Sequence, residues 1–132
     1  MKTRSILVTS CAIAAIASVS SAQAPSAAPP RVTEVIVLDV GSNMQKFFDL
    51  TKRADAITKE LQNPGKARYW ISSWAGSEAG HVIVTIEFPS LLAMAQAEAK
   101  MNASPEFQKW IAEAQASGIK QLSQSIVTEL RQ

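Results

Sequence analysis

The order of apolar and polar positions predicts four strands with helices between them. The clearest alternation is residues 81–88 (HVIVTIEF), where every second side chain shares a face. One face is wholly apolar and must be covered: Val82, Val84, Ile86 and Phe88. The opposite face is mixed: His81, Ile83, Thr85 and Glu87. Pro89 ends this strand because proline cannot donate a hydrogen bond to a neighbouring strand.

Three further runs have strand character: residues 32–40 (VTEVIVLDV), 67–75 (ARYWISSWA) and 119–130. The first is apolar on both of its faces, as expected for a strand that is covered on both sides. Gly76 and Gly80 enclose a turn, so residues 67–75 and 81–88 should form a hairpin.

Helical spacing of apolar residues predicts the intervening helices. Ser42 and Gln45 form a capping-box pattern ahead of the first stripe, which consists of Phe47, Leu50, Ala54, Ile57 and Leu61. Ser90 is placed to cap an alanine-rich helix over residues 91–101. Ser104 and Pro105 then predict a new helix start, followed by a buried stripe of Phe107, Trp110, Ile111 and Ala114.

The predicted order is β-α-β-β-α(α)-β, an α+β chain of the ferredoxin-like type with an antiparallel sheet and helices on one face. The other face of that sheet also carries apolar residues. A second copy of the chain covering this face is the simplest way to bury them, so we expect a homodimer.

The N-terminus has the pattern of a secretory signal peptide. Lys2 and Arg4 precede an apolar run over residues 6–19, and Ser20-Ser21-Ala22 offers the small residues of a cleavage site. We expect a signal peptide over residues 1–22, a disordered Ala/Pro/Ser-rich leader over 23–30 and one domain over 31–132. The alternative is an uncleaved anchor, but the run is shorter than the roughly 20 apolar residues that span a membrane. The mature protein should be periplasmic or secreted, without membrane attachment.

Charge and cysteine content argue against several kinds of binding site. Without Lys2 and Arg4 the 13 Lys and Arg residues become 11, equal to the 11 Asp and Glu residues, so no basic surface for nucleic acid is expected. The only cysteine, Cys11, lies in the predicted signal peptide, so the mature chain has no disulfide and no thiolate metal site. No glycine-rich phosphate loop is present, and we predict neither a cofactor nor a metal.

Candidate ligand-binding residues lie on the second strand. Arg68, Trp70 and Trp74 share one of its faces, where two indoles could flank a flat aromatic ligand and the guanidinium could bind its oxygens. Phe47 and Trp110 could close a cavity over them from the helices. The alternative is that the indoles fill the core or a dimer interface.

His81 and Glu87 are the candidate catalytic residues. The only imidazole of the chain could act as a base or ligand, and a buried carboxyl at a strand end could exchange protons. The alternatives are a partly exposed turn histidine and a glutamate paired with a neighbouring base.

The stretch EFPSLLAMAQAEAKMNASPEFQKW resembles dimeric α+β barrel proteins, in particular small bacterial domains in which a strand ends in E-F-P-S and S-P-E-F opens a later helix. Antibiotic-biosynthesis-type monooxygenases and NIPSNAP-like domains belong to the same superfamily. The resemblance covers about residues 32–130 and implies two ferredoxin-like sheets pairing into a barrel. The superfamily includes cofactor-free quinone or polyphenol monooxygenases and haem degraders. In the haem degraders the histidine ligand lies on a helix, whereas His81 lies at the start of a predicted strand.

The favoured function is therefore an exported homodimer that binds a small aromatic ligand or another protein, without assigned catalysis. A cofactor-independent monooxygenase acting on a small aromatic or quinol substrate is the first alternative. A binder of haem or another tetrapyrrole through His81 is the second.

Overall fold

The computed structural model describes residues 28–73 and 76–130. Within these residues seven α-helices and β-strands follow one another: β1 (Val32–Asp39), α1 (Met44–Glu60), β2 (Lys66–Ile71), β3 (Val82–Phe88), α2 (Leu91–Ala103), α3 (Pro105–Ala116) and β4 (Lys120–Thr128). This order confirms the predicted ferredoxin-like arrangement. The predicted signal peptide, residues 23–27 of the leader and Trp74 lie outside the described residues.

The four strands form one antiparallel sheet in the order β2-β3-β1-β4. Val84 lies opposite Ile36 on β1 and opposite Tyr69 on β2, which confirms the predicted apolar face of β3. The helices pack on this side. We call the other side the open face; it carries Val35 and Val37 of β1, Arg68 and Trp70 of β2, Ile83 and Thr85 of β3, and Val127 of β4.

The core between helices and sheet consists of two clusters. Val40, Phe47, Val82 and Val84 form one cluster, and Val32, Phe88, Met94 and Ala97 form the other. Ile86 packs against both. Helix α3 packs on α1 and α2.

Two helix starts confirm the prediction and one does not. The Ser90 hydroxyl accepts from Ala93 N at 3.1 Å, and the Ser104 hydroxyl accepts from Phe107 N at 3.3 Å with Pro105 as the first helical residue. The capping box at Ser42 is wrong, because α1 starts one residue later, after Asn43, and has no side-chain cap.

The turn after β1 explains this shift. Asp39 Oδ1 accepts from Gly41 N at 3.1 Å, and Asn43 N donates to Val40 O at 2.9 Å, so Ser42 lies inside a turn that precedes the helix. Gly41 sits at φ 52°, a conformation that favours glycine.

None of the helices in residues 28–73 and 76–130 combines the length and hydropathy needed to cross a membrane.

Candidate functional site

A cavity of about 810 Å³ lies between the helix-covered side of the sheet and all three helices. Five aromatic side chains line it: Phe47, Tyr69, Phe88, Phe107 and Trp110. The stripe on α3 that was predicted to be buried is only half-buried, because its side chains face this cavity and not a packed sheet. The fold therefore leaves a space between the helices and the sheet that is large enough for a small ligand.

Trp110 and Phe107 form one wall of the cavity. Their rings stack with centroids 5.5 Å apart and planes 10° apart. Trp110 Nε1 donates to Leu50 O of α1 at 2.8 Å, which fixes the indole between α1 and α3. The two rings thus give the cavity an apolar lining whose one polar atom is already bonded.

Tyr69 of β2 and Asp55 of α1 form a polar pair on another side. Tyr69 donates its hydroxyl to Asp55 Oδ1 at 3.2 Å, and its ring meets Phe47 edge-on at 5.9 Å. Burial, and after it the charge and hydrogen bond of Asp55, raise the pKa of Tyr69 to about 12. The phenol is therefore protonated at any physiological pH.

Glu34 of β1 is the only buried polar or charged residue among those described, at 9 % exposure. Gln124 of β4 donates its amide Nε2 to Glu34 Oε1. Burial raises the pKa of Glu34, the Gln124 hydrogen bond acts in the opposite direction, and the nearby Glu98 carboxylate raises it further. A carboxyl whose pKa is raised above its usual value thus faces the cavity.

Sequence reasoning did not single out Glu34. Its signal was present, since it is the one acid on a face of β1 otherwise formed by Val32, Ile36, Leu38 and Val40. An isolated acid on an apolar strand face is costly to bury and calls for a partner or a function. Its partner Gln124 comes from the far end of the chain, so spacing could not reveal the pair.

Of the predicted ligand wall, Arg68 and Trp70 lie on the open face. Trp70 Nε1 donates to Thr85 Oγ1 at 3.2 Å, and the indole is 50 % exposed. The expectation that Phe47 and Trp110 close a cavity over Trp70 is wrong, because strand alternation places Trp70 on the opposite side of the sheet. Tyr69, its neighbour in sequence, faces the cavity instead.

Neither candidate catalytic residue lines the cavity. His81 precedes β3 and is partly buried, and its Nδ1 has no hydrogen-bond partner among the described residues. Glu87 accepts from Arg31 Nη1 at 3.2 Å near the surface, which is the paired arrangement considered as its alternative. No group of three His, Cys, Asp or Glu side chains within residues 28–73 and 76–130 is placed to hold a metal ion.

The sheet order and the helices on one face define a ferredoxin-like α+β domain with a partly open cavity between them. A NIPSNAP family protein from Agrobacterium tumefaciens has this fold, with a TM-score of 0.59 and 17 % identity over 79 % of this chain and 88 % of its own. An uncharacterised NIPSNAP-like domain protein from Burkholderia xenovorans matches with a TM-score of 0.52 and 16 % identity over 77 % of this chain and 85 % of its own.

A protein from an uncultured marine organism, described as a dimeric ferredoxin-like protein, matches with a TM-score of 0.51 and 20 % identity over 78 % of this chain and 98 % of its own. No protein-family model and no curated protein matches the sequence. At these identities the likeness establishes the fold, and it agrees with the resemblance to NIPSNAP-like domains found in the sequence.

Proposed function

We propose that the mature protein is an exported homodimer that binds a small ligand in the cavity between the helices and the sheet. The observation that carries this proposal is the cavity itself, with its 810 Å³ and its aromatic lining. Small-molecule sites have volumes of roughly 300–1,000 Å³ and combine apolar walls with a few polar groups. The polar groups here include Glu34, Gln124 and the Tyr69–Asp55 pair.

Tryptophan fluorescence tests ligand binding and its location together. A flat aromatic ligand stacked on the Trp110 wall should quench the emission, and Trp110→Phe should remove that quenching. Trp70→Phe is the matched control, since Trp70 lies on the open face and its loss should leave the quenching in place. Quenching that survives Trp110→Phe and disappears in Trp70→Phe would instead support a site on the open face with Arg68, as the sequence suggested.

The open face supports the dimer part of the proposal. Val35, Val37 and Ile83 form an apolar strip across its centre, and the indole of Trp70 extends this strip to the edge. A similar fold is described as dimeric in the marine protein. Light scattering should give twice the mass of the mature chain, and Trp70→Ala should shift the equilibrium towards monomer. A wild-type monomer at micromolar concentration would contradict a dimer.

Export is supported by the sequence alone, through Lys2, Arg4, the apolar run and the small residues ending at Ala22. N-terminal sequencing of the protein from its native host should begin at or near Gln23. An intact Met1 in a cytoplasmic fraction would contradict export.

Cofactor-independent monooxygenation of a small aromatic or quinol is the second candidate. Glu34 favours it, because a buried carboxyl with a raised pKa is suited to remove a phenolic proton. Oxygen uptake with a panel of quinols should then be lost in Glu34→Gln while the aromatic still binds. The haem alternative has less support, because none of the described residues lining the cavity is a histidine.

A further inference from the structure

The cavity has an unbalanced set of charges. Three carboxyl groups line it from three elements: Glu34 from β1, Asp55 from α1 and Glu98 from α2. None of the described lining residues is Lys, Arg or His. The remaining polar lining consists of amides, hydroxyls and the Tyr69 phenol, so a bound ligand meets negative charge without a fixed positive partner.

We propose that the cavity selects an organic cation, a protonated or quaternary amine carried on an aromatic or apolar frame. This inference rests on the proposed function, since it names the chemical class of the ligand that the cavity takes. The aromatic lining fits the frame of such a ligand, and the carboxyl groups fit its charge.

Electrostatics inside the cavity favours this class over the alternatives. Glu34 and Glu98 repel one another, and a positive group near them replaces that repulsion by two attractions. The rings of Trp110, Tyr69 and Phe47 add the attraction that the face of an aromatic ring exerts on a cation. A carboxylate, sulfonate or phosphate in the same place has neither of these attractions and adds another negative charge to the cavity.

A proton linkage follows from the same arrangement. The groups facing Glu34 are Gln124 of β4, Glu98 of α2 and, across the cavity, the Tyr69–Asp55 pair of β2 and α1. None of these offers a positive charge, so the ionised form of Glu34 gains most from a bound cation. Binding should therefore release a proton and become tighter as the pH rises through the pKa of Glu34.

The test uses three probes with one frame: naphthylmethylamine, naphthalenemethanol and naphthoate. Isothermal titration calorimetry of the wild-type protein should rank the affinities as cation, neutral, anion, with about tenfold or more between the first and the last. Repeating the cation titration in buffers with different heats of ionisation should reveal proton release.

Two cavity variants and one control complete the experiment. Glu34→Gln should abolish the proton release. Glu98→Gln should reduce the preference for the cation, and it should disturb folding less because Glu98 is exposed. Glu60→Gln removes a carboxylate outside the cavity lining and should change neither. Equal or tighter binding of naphthoate or naphthalenemethanol would overturn the charge preference while the proposed ligand-binding function stood. No binding of any probe would overturn both.

Discussion

Gly65→Ala tests how tightly the loop between α1 and β2 packs on the core. A methyl group at this position would lie 2.7 and 2.8 Å from two ring atoms of Phe88 and 2.9 Å from Asn63 Oδ1. Both neighbours must shift to make room for it. Phe88 is 3 % exposed within a core cluster, and Asn63 Oδ1 is held by the Gly65 amide at 2.7 Å.

Two opposing effects determine how much Gly65→Ala lowers the free energy of unfolding. Overpacking a well-packed site costs about 1–3 kcal/mol. Replacing glycine by alanine in an accessible conformation restores about 0.4–1 kcal/mol by restricting the unfolded chain. The cavity also borders Phe88, so the ring has space into which it can shift. We therefore expect Gly65→Ala to lower the free energy of unfolding by about 1 kcal/mol.

Urea unfolding followed by tryptophan fluorescence, at one fixed protein concentration, measures this change. Phe88→Leu removes the ring that causes the clash, so alanine at position 65 should cost less in that background. The double-mutant cycle should give a coupling energy of about 1 kcal/mol. Additive losses, or a Gly65→Ala protein as stable as the wild type, would refute the clash.

Three further predictions concern single groups. The chain has one tyrosine, so ultraviolet absorbance against pH should report Tyr69 ionising at about 12 while the protein stays folded, and Asp55→Asn should lower that value. Ser104→Ala removes the hydroxyl that accepts from Phe107 N and should cost about 1 kcal/mol in urea unfolding, with little change if the cap is dispensable. Burial raises the pKa of Glu34, so its contribution to stability should be present below the usual pKa of 4.5 and be lost as the pH rises through the raised pKa. Glu34→Gln should therefore flatten stability against pH, and an unchanged profile would contradict the shift.

Strand alternation made the sheet readable from the sequence. The apolar face of residues 82–88 and the two-sided character of β1 follow from side-chain period alone, and the register of Val84 with Ile36 agrees with both. Ser104 and Pro105 were equally readable, since a cap and a first-turn proline act within a few residues. The prediction at Ser42 is wrong because Ser42 lies inside a turn, closed by the bond from Asn43 N to Val40 O, which the capping pattern does not reveal.

The candidate site was harder to predict because its parts are far apart in sequence. Gln124 reaches Glu34 only after the whole fold is assembled, and nothing in local spacing joins them. Trp110 was recognised as part of an apolar stripe, but whether such a stripe packs tightly or borders an empty space depends on how far α3 stands from the sheet. Aromatic content drew attention to Trp70, although its neighbour Tyr69 is the residue that reaches the cavity.

The adjacent positions of Tyr69 and Trp70 constrain the register of β2. One residue faces the cavity and the next faces the opposite surface, so the same short strand serves both. Inserting or deleting one residue within β2 before this pair would exchange the two surfaces along the remainder of the strand. We expect the side chains at these two positions to vary independently, whereas changes of length within β2 should be tolerated only where they keep the register.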